Sequence, residues 1–182
     1  EPLAPDNFYK FSPAIDDHAR FEPSPGLKRW YLPEGDHSIS RDLVWRKGKV
    51  IRIRKDTILD EDVRLVIEPG VEVIIAAGKS LIIEGALVAE GTRDRPIVFR
   101  GASADEPFGV VAITNTKGRK NLLRHVRITN GGNAHIRDVS YLGALSIYAA
   151  DALVDNVTFD GNRKGDALNA VYSRTKVQNS VF

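Results

Sequence analysis

Eight polar residues in two short segments carry side chains that could do chemistry together. Carboxylates close to bases suit Ca²⁺-assisted lyase chemistry, in which metal and arginine stabilise a uronate enolate, and paired-acid glycoside hydrolysis. The catalytic candidates are Asp160, Asp166 and His135. The expected ligand-binding set is Asn130, His135, Arg137, Asp138, Asp160, Asn162, Arg163 and Asp166, with Tyr141 at its flank.

The second of these segments also has an ordinary structural interpretation. The run Asp160-Gly-Asn-Arg-Lys-Gly-Asp166 is typical of a solvent-facing turn, because Gly, Asn and Asp favour turn conformations. We favour this interpretation and keep the chemical one as its alternative.

Repeated strands are expected to position both segments. Residues 123–128, 154–159 and 177–182 share one alternating pattern, and their starts lie 31 and 23 residues apart. Phe99 precedes Ile128 by 29 residues, and Leu145 precedes Leu168 by 23. The eight surplus residues must therefore lie between Ile128 and Leu145, which predicts an insertion at residues 131–138 and just after. The same register places the two polar corners one coil apart on one side.

An earlier repeat extends the pattern towards the N-terminus. Four nine-residue windows start at His37, Ile51, Leu65 and Leu81, at offsets of 14, 14 and 16, and each alternates as strand, corner, strand. Valine and isoleucine total 32 against 14 leucines, which favours strands. We predict an all-β solenoid with about two dozen residues per coil and a rise of about 4.8 Å.

Two further groups have structural interpretations that we favour. His125, Asn156 and Asn179 share one column, which predicts a corner ladder hydrogen-bonded from coil to coil. Six bases between Arg46 and Lys55 could bind an acidic glycan, but Arg54 is expected to stack under Glu68, and acids follow at once. A solvated, partly paired flank is the expected result.

Composition limits the remaining choices. The formal net charge of +2 does not indicate a nucleic-acid or membrane-surface binder. The absence of cysteine excludes a disulfide framework, a thiolate metal site and a cysteine nucleophile. Neither a membrane-spanning run nor a signal peptide is present in the sequence, and without methionine Glu1 is not expected to be the translation start.

The two ends of the chain carry expectations of their own. Residues 1–36, with six of the nine prolines and many aromatic residues, are expected to form an arm that caps the coils of residues 37–182. Val181-Phe182 stops inside an apolar strand, so we expect further coils or another protein chain to cover that end.

The segments Leu65-Val-Ile-Glu-Pro-Gly-Val-Glu-Val73 and Pro96-Ile-Val-Phe-Arg100 resemble the opening coils of right-handed parallel β-helix proteins, the pectate-lyase-like repeat proteins of bacterial secretion and cell envelopes. The resemblance covers residues 37–182. It implies a right-handed parallel β-helix in an extracellular, periplasmic or cell-surface protein. Polygalacturonase-like members carry a Gly-His-Gly motif, which this chain lacks.

Three functions follow from this resemblance and the residues above. We favour a non-catalytic scaffold or carbohydrate-binding module, with a polysaccharide as partner and no required cofactor. The first alternative is a polysaccharide lyase or glycoside hydrolase that acts through acids on corner loops, with Ca²⁺ as its cofactor in the lyase case. The second alternative is a structural subunit of a surface assembly. Neither nucleic acid binding nor membrane insertion is expected.

Overall fold

The structure is a computed structural model that describes residues 37–116, 118–162 and 164–182. The described residues are all-β and contain no helix, so no helix among them is long and apolar enough to cross a membrane. Their strands are β1 His37–Ile39, β2 Leu43–Trp45, β3 Val50–Ile53, β4 Thr57–Leu59, β5 Arg64–Ile67, β6 Glu72–Ile75, β7 Leu81–Ile83, β8 Ala86–Glu90, β9 Ile97–Gly101, β10 Val111–Thr114, β11 Lys120–Thr129, β12 Ala134–Ile136, β13 Val139–Tyr141, β14 Gly143–Tyr148, β15 Asp151–Asp160, β16 Asp166–Val171 and β17 Arg174–Gln178. The predicted arm, residues 1–36, lies outside the described residues.

Two long parallel sheets dominate the architecture. The first sheet has the order β1-β4-β7-β10-β14-β16. The second has the order β2-β5-β8-β11-β9-β6-β3, and β15 and β17 continue from β11. Strands β1, β2 and β3 pair with β4, β5 and β6 respectively, so the chain returns to each position after three strands. This arrangement is consistent with a parallel β-helix.

The later repeat register is confirmed, and the earlier one is wrong. Leu123 pairs with Val154, which pairs with Val177, at the predicted spacings of 31 and 23 residues. In the first coils Leu43 pairs with Leu65, 22 residues on, rather than at an offset of 14. The strand-corner-strand windows therefore do not stack on one another.

The core is built from columns of inward-facing aliphatic side chains. Leu59, Ile83, Ile113 and Ile147 are register neighbours in the first sheet, and all four are fully buried. Each such side chain contributes about 1.5–3 kcal/mol when it leaves water. The columns hold the coils in a fixed stack and give the outer face a rigid base.

The predicted corner column exists, with a different bonding pattern. His125, Asn156 and Asn179 have φ values of 47°, 54° and 53°, in the left-handed region that asparagine tolerates better than most residues. Asn156 and Asn179 do not bond to each other. Both donate to Oδ1 of Asp155, at 2.8 and 2.9 Å.

The stacking predicted for the basic segment is also corrected. Arg46, rather than Arg54, pairs with Glu68, at 3.0 Å between Nη1 and Oε1. The backbone N–H of Lys47 donates to the second oxygen of the same carboxylate at 2.7 Å. The expectation of a partly paired flank is therefore met by different residues.

Candidate functional site

The two predicted polar corners stack one coil apart. Thr129 pairs with Asp160 at the ends of β11 and β15. The backbone N–H of Asn130 then donates to the carbonyl of Asp160 at 3.0 Å. The register from the sequence therefore places both corners correctly.

Two of the predicted ligand-binding residues have their polar atoms bound to backbone. Asn130 is buried, has a φ of 60°, and donates through Nδ2 to the carbonyls of Ser103 and Ala104 at 2.7 and 3.2 Å. The Oδ1 of Asn162 accepts from the N–H of Gly131 at 2.8 Å. Both amides satisfy backbone groups and so tie neighbouring loops together.

The catalytic candidates remain apart in the described part of the chain. Asp160 and Asp166 have exposed side chains. The backbone N–H of Asp166 donates to the carbonyl of Leu142 at 2.8 Å, where β16 starts. Within the described residues no hydrogen bond or ion pair joins either carboxylate to His135. Arg163 lies outside the described residues.

The predicted insertion is an antiparallel hairpin formed by β12 and β13. Its two turn residues, Arg137 and Asp138, have φ values of 47° and 63°, as a two-residue turn of type I′ requires. His135 lies within hydrogen-bond distance of Ser140 in the same hairpin, at 3.1 Å. Arg137 donates to Glu84 at 3.3 Å, which directs its charge towards the end of β7.

The hairpin covers part of the outer face of the first sheet. Ile58, Ile82 and Ala112 are register neighbours on that face. Ile136 and Val139 of the hairpin join the apolar cluster formed there, and Tyr141 is buried in it. The insertion is therefore a packed element rather than a free loop.

Tyr141 brings a titratable hydroxyl into this apolar contact. Burial raises the pKa of Tyr141, and the negative charge of Glu84 acts in the same direction. The adjoining Thr114 hydroxyl and the Arg137 charge act to lower this pKa and offset part of the rise. The hydroxyl oxygen of Thr114 is buried without a hydrogen bond of normal geometry within the described structure.

Two tyrosines beside the hairpin form an aromatic pair that the sequence interpretation missed. Tyr148 and Tyr172 meet edge to face, with ring centroids 5.8 Å apart and planes at 89°. Tyr148 borders the hairpin cluster, while Tyr172 is 83% exposed. The spacing of Leu145 and Leu168 aligns Tyr148 with Val171, so it could have revealed that Tyr172 lies beside Tyr148.

The predicted calcium site was tested against the donor set. Among the described residues no group of three or more histidine, aspartate or glutamate side chains could hold a metal ion. The Asn162 oxygen between the two acids is already engaged by Gly131. The described residues do not fit a calcium site, and no chemical step is derived through one.

The fold and the outer face define an all-β protein with long parallel sheets. Comparison with protein-family models, with curated proteins and with solved structures found no match. The functional interpretation therefore depends on the geometry of this chain.

Proposed function

We propose that this chain is a right-handed parallel β-helix of an exported or cell-envelope protein that acts as a non-catalytic scaffold and binds carbohydrate. The three-strand return of the chain and the stacked aliphatic columns support the solenoid. Cell-surface, periplasmic or extracellular localisation follows from the resemblance of its opening coils to secreted β-helix proteins.

The observation that carries carbohydrate binding is the exposed edge-to-face pair of Tyr148 and Tyr172 on a rigid parallel sheet. Aromatic rings with a polar end suit ligands that present both C–H groups and hydroxyls, because each side of the ring system meets a matching surface. The corner acids Asp160 and Asp166 are exposed on the adjacent coils and supply hydrogen-bond acceptors.

A panel of uronate and neutral glycans, tested with and without Ca²⁺, checks this function. Binding without cleavage is the expected result. Release of unsaturated products would instead favour the lyase alternative, and release of reducing ends the hydrolase alternative, with Asp160, Asp166 and His135 as the residues to replace first. Failure of every glycan to bind would overturn the proposal.

The last strands supply a second candidate role, as a structural subunit. Strand β17 pairs with β15 alone, and Val177, Val181 and Phe182 are exposed beside it. We propose that further coils or another protein chain pair with this edge, since unpaired strand groups and apolar side chains invite partners. Light scattering of the full-length protein tests the assembly, and a monomer at high concentration would contradict it.

A further inference from the structure

We propose that Tyr172, supported by Tyr148, is a stacking platform for an uncharged pyranose ring. The inference rests on the proposed carbohydrate binding and names its ligand class and its main contact. The ring of Tyr172 is 83% exposed although it packs against Tyr148. Edge-to-face packing leaves at least one broad face of this ring in solvent, where a sugar ring can lie flat against it.

The backbone of Tyr172 shows that the position is costly for this residue type. Its φ is 49°, and the equivalent corners of the two preceding coils are Asn115 at 51° and Ala149 at 48°. A bulky side chain is rare in this left-handed region, whereas asparagine and glycine adopt it readily. Tyrosine is therefore not the residue that folding alone favours here.

Hydrogen bonds between coils fix this column of corners. The N–H of Asn115 donates to the carbonyl of Tyr148 at 3.0 Å, and the N–H of Ala149 donates to that of Val171 at 2.9 Å. The backbone next to Tyr172 is thus held by the stack. A ring on such a backbone has few conformations to lose when it binds a ligand, because tyrosine has only two side-chain torsions.

Charges around the tyrosines favour an uncharged ligand. Arg137 pairs with Glu84 at 3.3 Å on the hairpin side. Arg174, two residues after Tyr172, pairs with Asp151 at 2.6 Å. Because both arginines already have carboxylate partners, a uronate would have to compete for them.

A hydrogen-bonding group lies on the same face. Asn169 precedes Val171, the register partner of Tyr148, by two residues, so it shares the face of Tyr148. Its side chain makes no hydrogen bond with any residue that the structure describes, and it is half-buried. A half-buried amide can donate to and accept from sugar hydroxyls while the ring stacks on Tyr172.

Isothermal titration of the full chain tests the platform. The uncharged probes are cellohexaose, mannohexaose and the hexamer of N-acetylglucosamine, and the charged probe is trigalacturonate. We expect at least one uncharged probe to bind, and Tyr172→Asn to weaken that binding by roughly three- to tenfold, the loss expected for one aromatic contact. The melting temperature of Tyr172→Asn should equal or exceed that of the wild type.

Ala149→Asn is the matched control, since it places the same residue at the equivalent corner one coil earlier and removes no aromatic ring. It should keep wild-type binding. Wild-type affinity in Tyr172→Asn would overturn the platform and leave carbohydrate binding intact. Binding of trigalacturonate alone would overturn the ligand class, and absence of binding to every probe would overturn both proposals.

Discussion

Asn179 donates a 2.9 Å hydrogen bond from Nδ2 to Oδ1 of Asp155, one coil before it. Asp155 also accepts from Nε of Arg124 at 3.2 Å, and Arg124 pairs with Glu90 at 2.8 Å. Glu90, Arg124 and Asp155 are successive register neighbours on the second sheet. A line of charge-assisted hydrogen bonds therefore connects four successive coils on a face whose core side is aliphatic.

Replacement of Asp155 by asparagine should remove an acid-dependent part of the stability. Burial alone would raise the pKa of Asp155, but hydrogen bonds from Asn179, Gln178 and Arg124 outweigh it and hold the pKa below 3.8. A lowered pKa in the folded state stabilises the protein above the unfolded pKa of about 4, and this gain is lost as the pH falls through the folded value. We expect Asp155→Asn to lose about 1.5–3 kcal/mol at pH 7, as for hydrogen bonds to a charged group.

Urea unfolding at neutral pH and at acid pH measures this difference. The wild type and Asp155→Asn should converge as the pH falls from about 4 towards the folded pKa. Asp62→Asn is the control, because Asp62 pairs with Arg119 but its side chain is 87% exposed, and such pairs contribute little. An Asp155→Asn variant that is as stable as the wild type at pH 7 would show that the line of bonds has no net value.

The strand pattern of the second half could be predicted from sequence, and that of the first half only in part. Period-two alternation fixes which face of a strand is buried, but it does not distinguish one strand of a coil from the next. An offset of 14 is even, so it keeps this parity while it matches Leu65 with Ile51 instead of with Leu43. Only the long, unequal spacings after Phe99 identify the true coil.

The candidate site was predictable in position more than in bonding. The surplus of eight residues located the hairpin, but periodicity does not show that Ile136 and Val139 pack onto the first sheet. The polar residues also gave no sign that Asn130 and Asn162 bond to backbone. Such bonds depend on how loops from separate coils meet in space.

The amides and the acids of the two corners should separate in a stability test. Asn130→Ala leaves two loop carbonyls without their donor and places alanine at a φ of 60°, so we expect a loss of about 2–3 kcal/mol. Asp160→Ala and Asp166→Ala should change the melting temperature little, because both side chains are exposed, and should weaken any glycan binding. Thermal unfolding and titration of the same variants measure both effects. Loss of stability with unchanged binding would show that the acids are structural.

Gly85 should not tolerate a side chain. A Cβ atom at this position would meet the carbonyl oxygen of Val63 and lie 2.8 Å from that of Asp60. The Val63 carbonyl accepts from Ala86 at 2.9 Å, so it is held by the coil and cannot move freely. We expect Gly85→Ala to cost more than about 3 kcal/mol, by analogy with overpacked sites.

Gly78 provides the matched control for this substitution. Its φ is 63°, and a Cβ there would have nothing within 4 Å, so Gly78→Ala should cost only about 1–2 kcal/mol of backbone strain. Urea midpoints of the two variants compare crowding with strain directly. Equal losses would contradict the close approach of coils at Gly85.

The hairpin contact should show itself at alkaline pH through Tyr141. Burial raises the pKa of this hydroxyl above its ordinary value of 10.0. Above about pH 10 the unfolded chain therefore loses this proton before the folded one does, and the free energy of unfolding falls as the pH rises. Tyr141→Phe keeps the ring in the apolar cluster and removes the titration, so its stability should fall less between about pH 9 and 11.

Ser140→Ala controls for loosening of the hairpin, because it removes an exposed hydroxyl of the same strand that does not titrate in this range. Guanidinium unfolding of the wild type and both variants at several pH values gives the comparison. Ser140→Ala should follow the wild-type dependence, whereas Tyr141→Phe should depart from it only above about pH 10. The same slope in Tyr141→Phe and the wild type would mean that the hydroxyl ionises as readily in the folded protein as in the unfolded chain. The hairpin would then not be packed on the first sheet in solution.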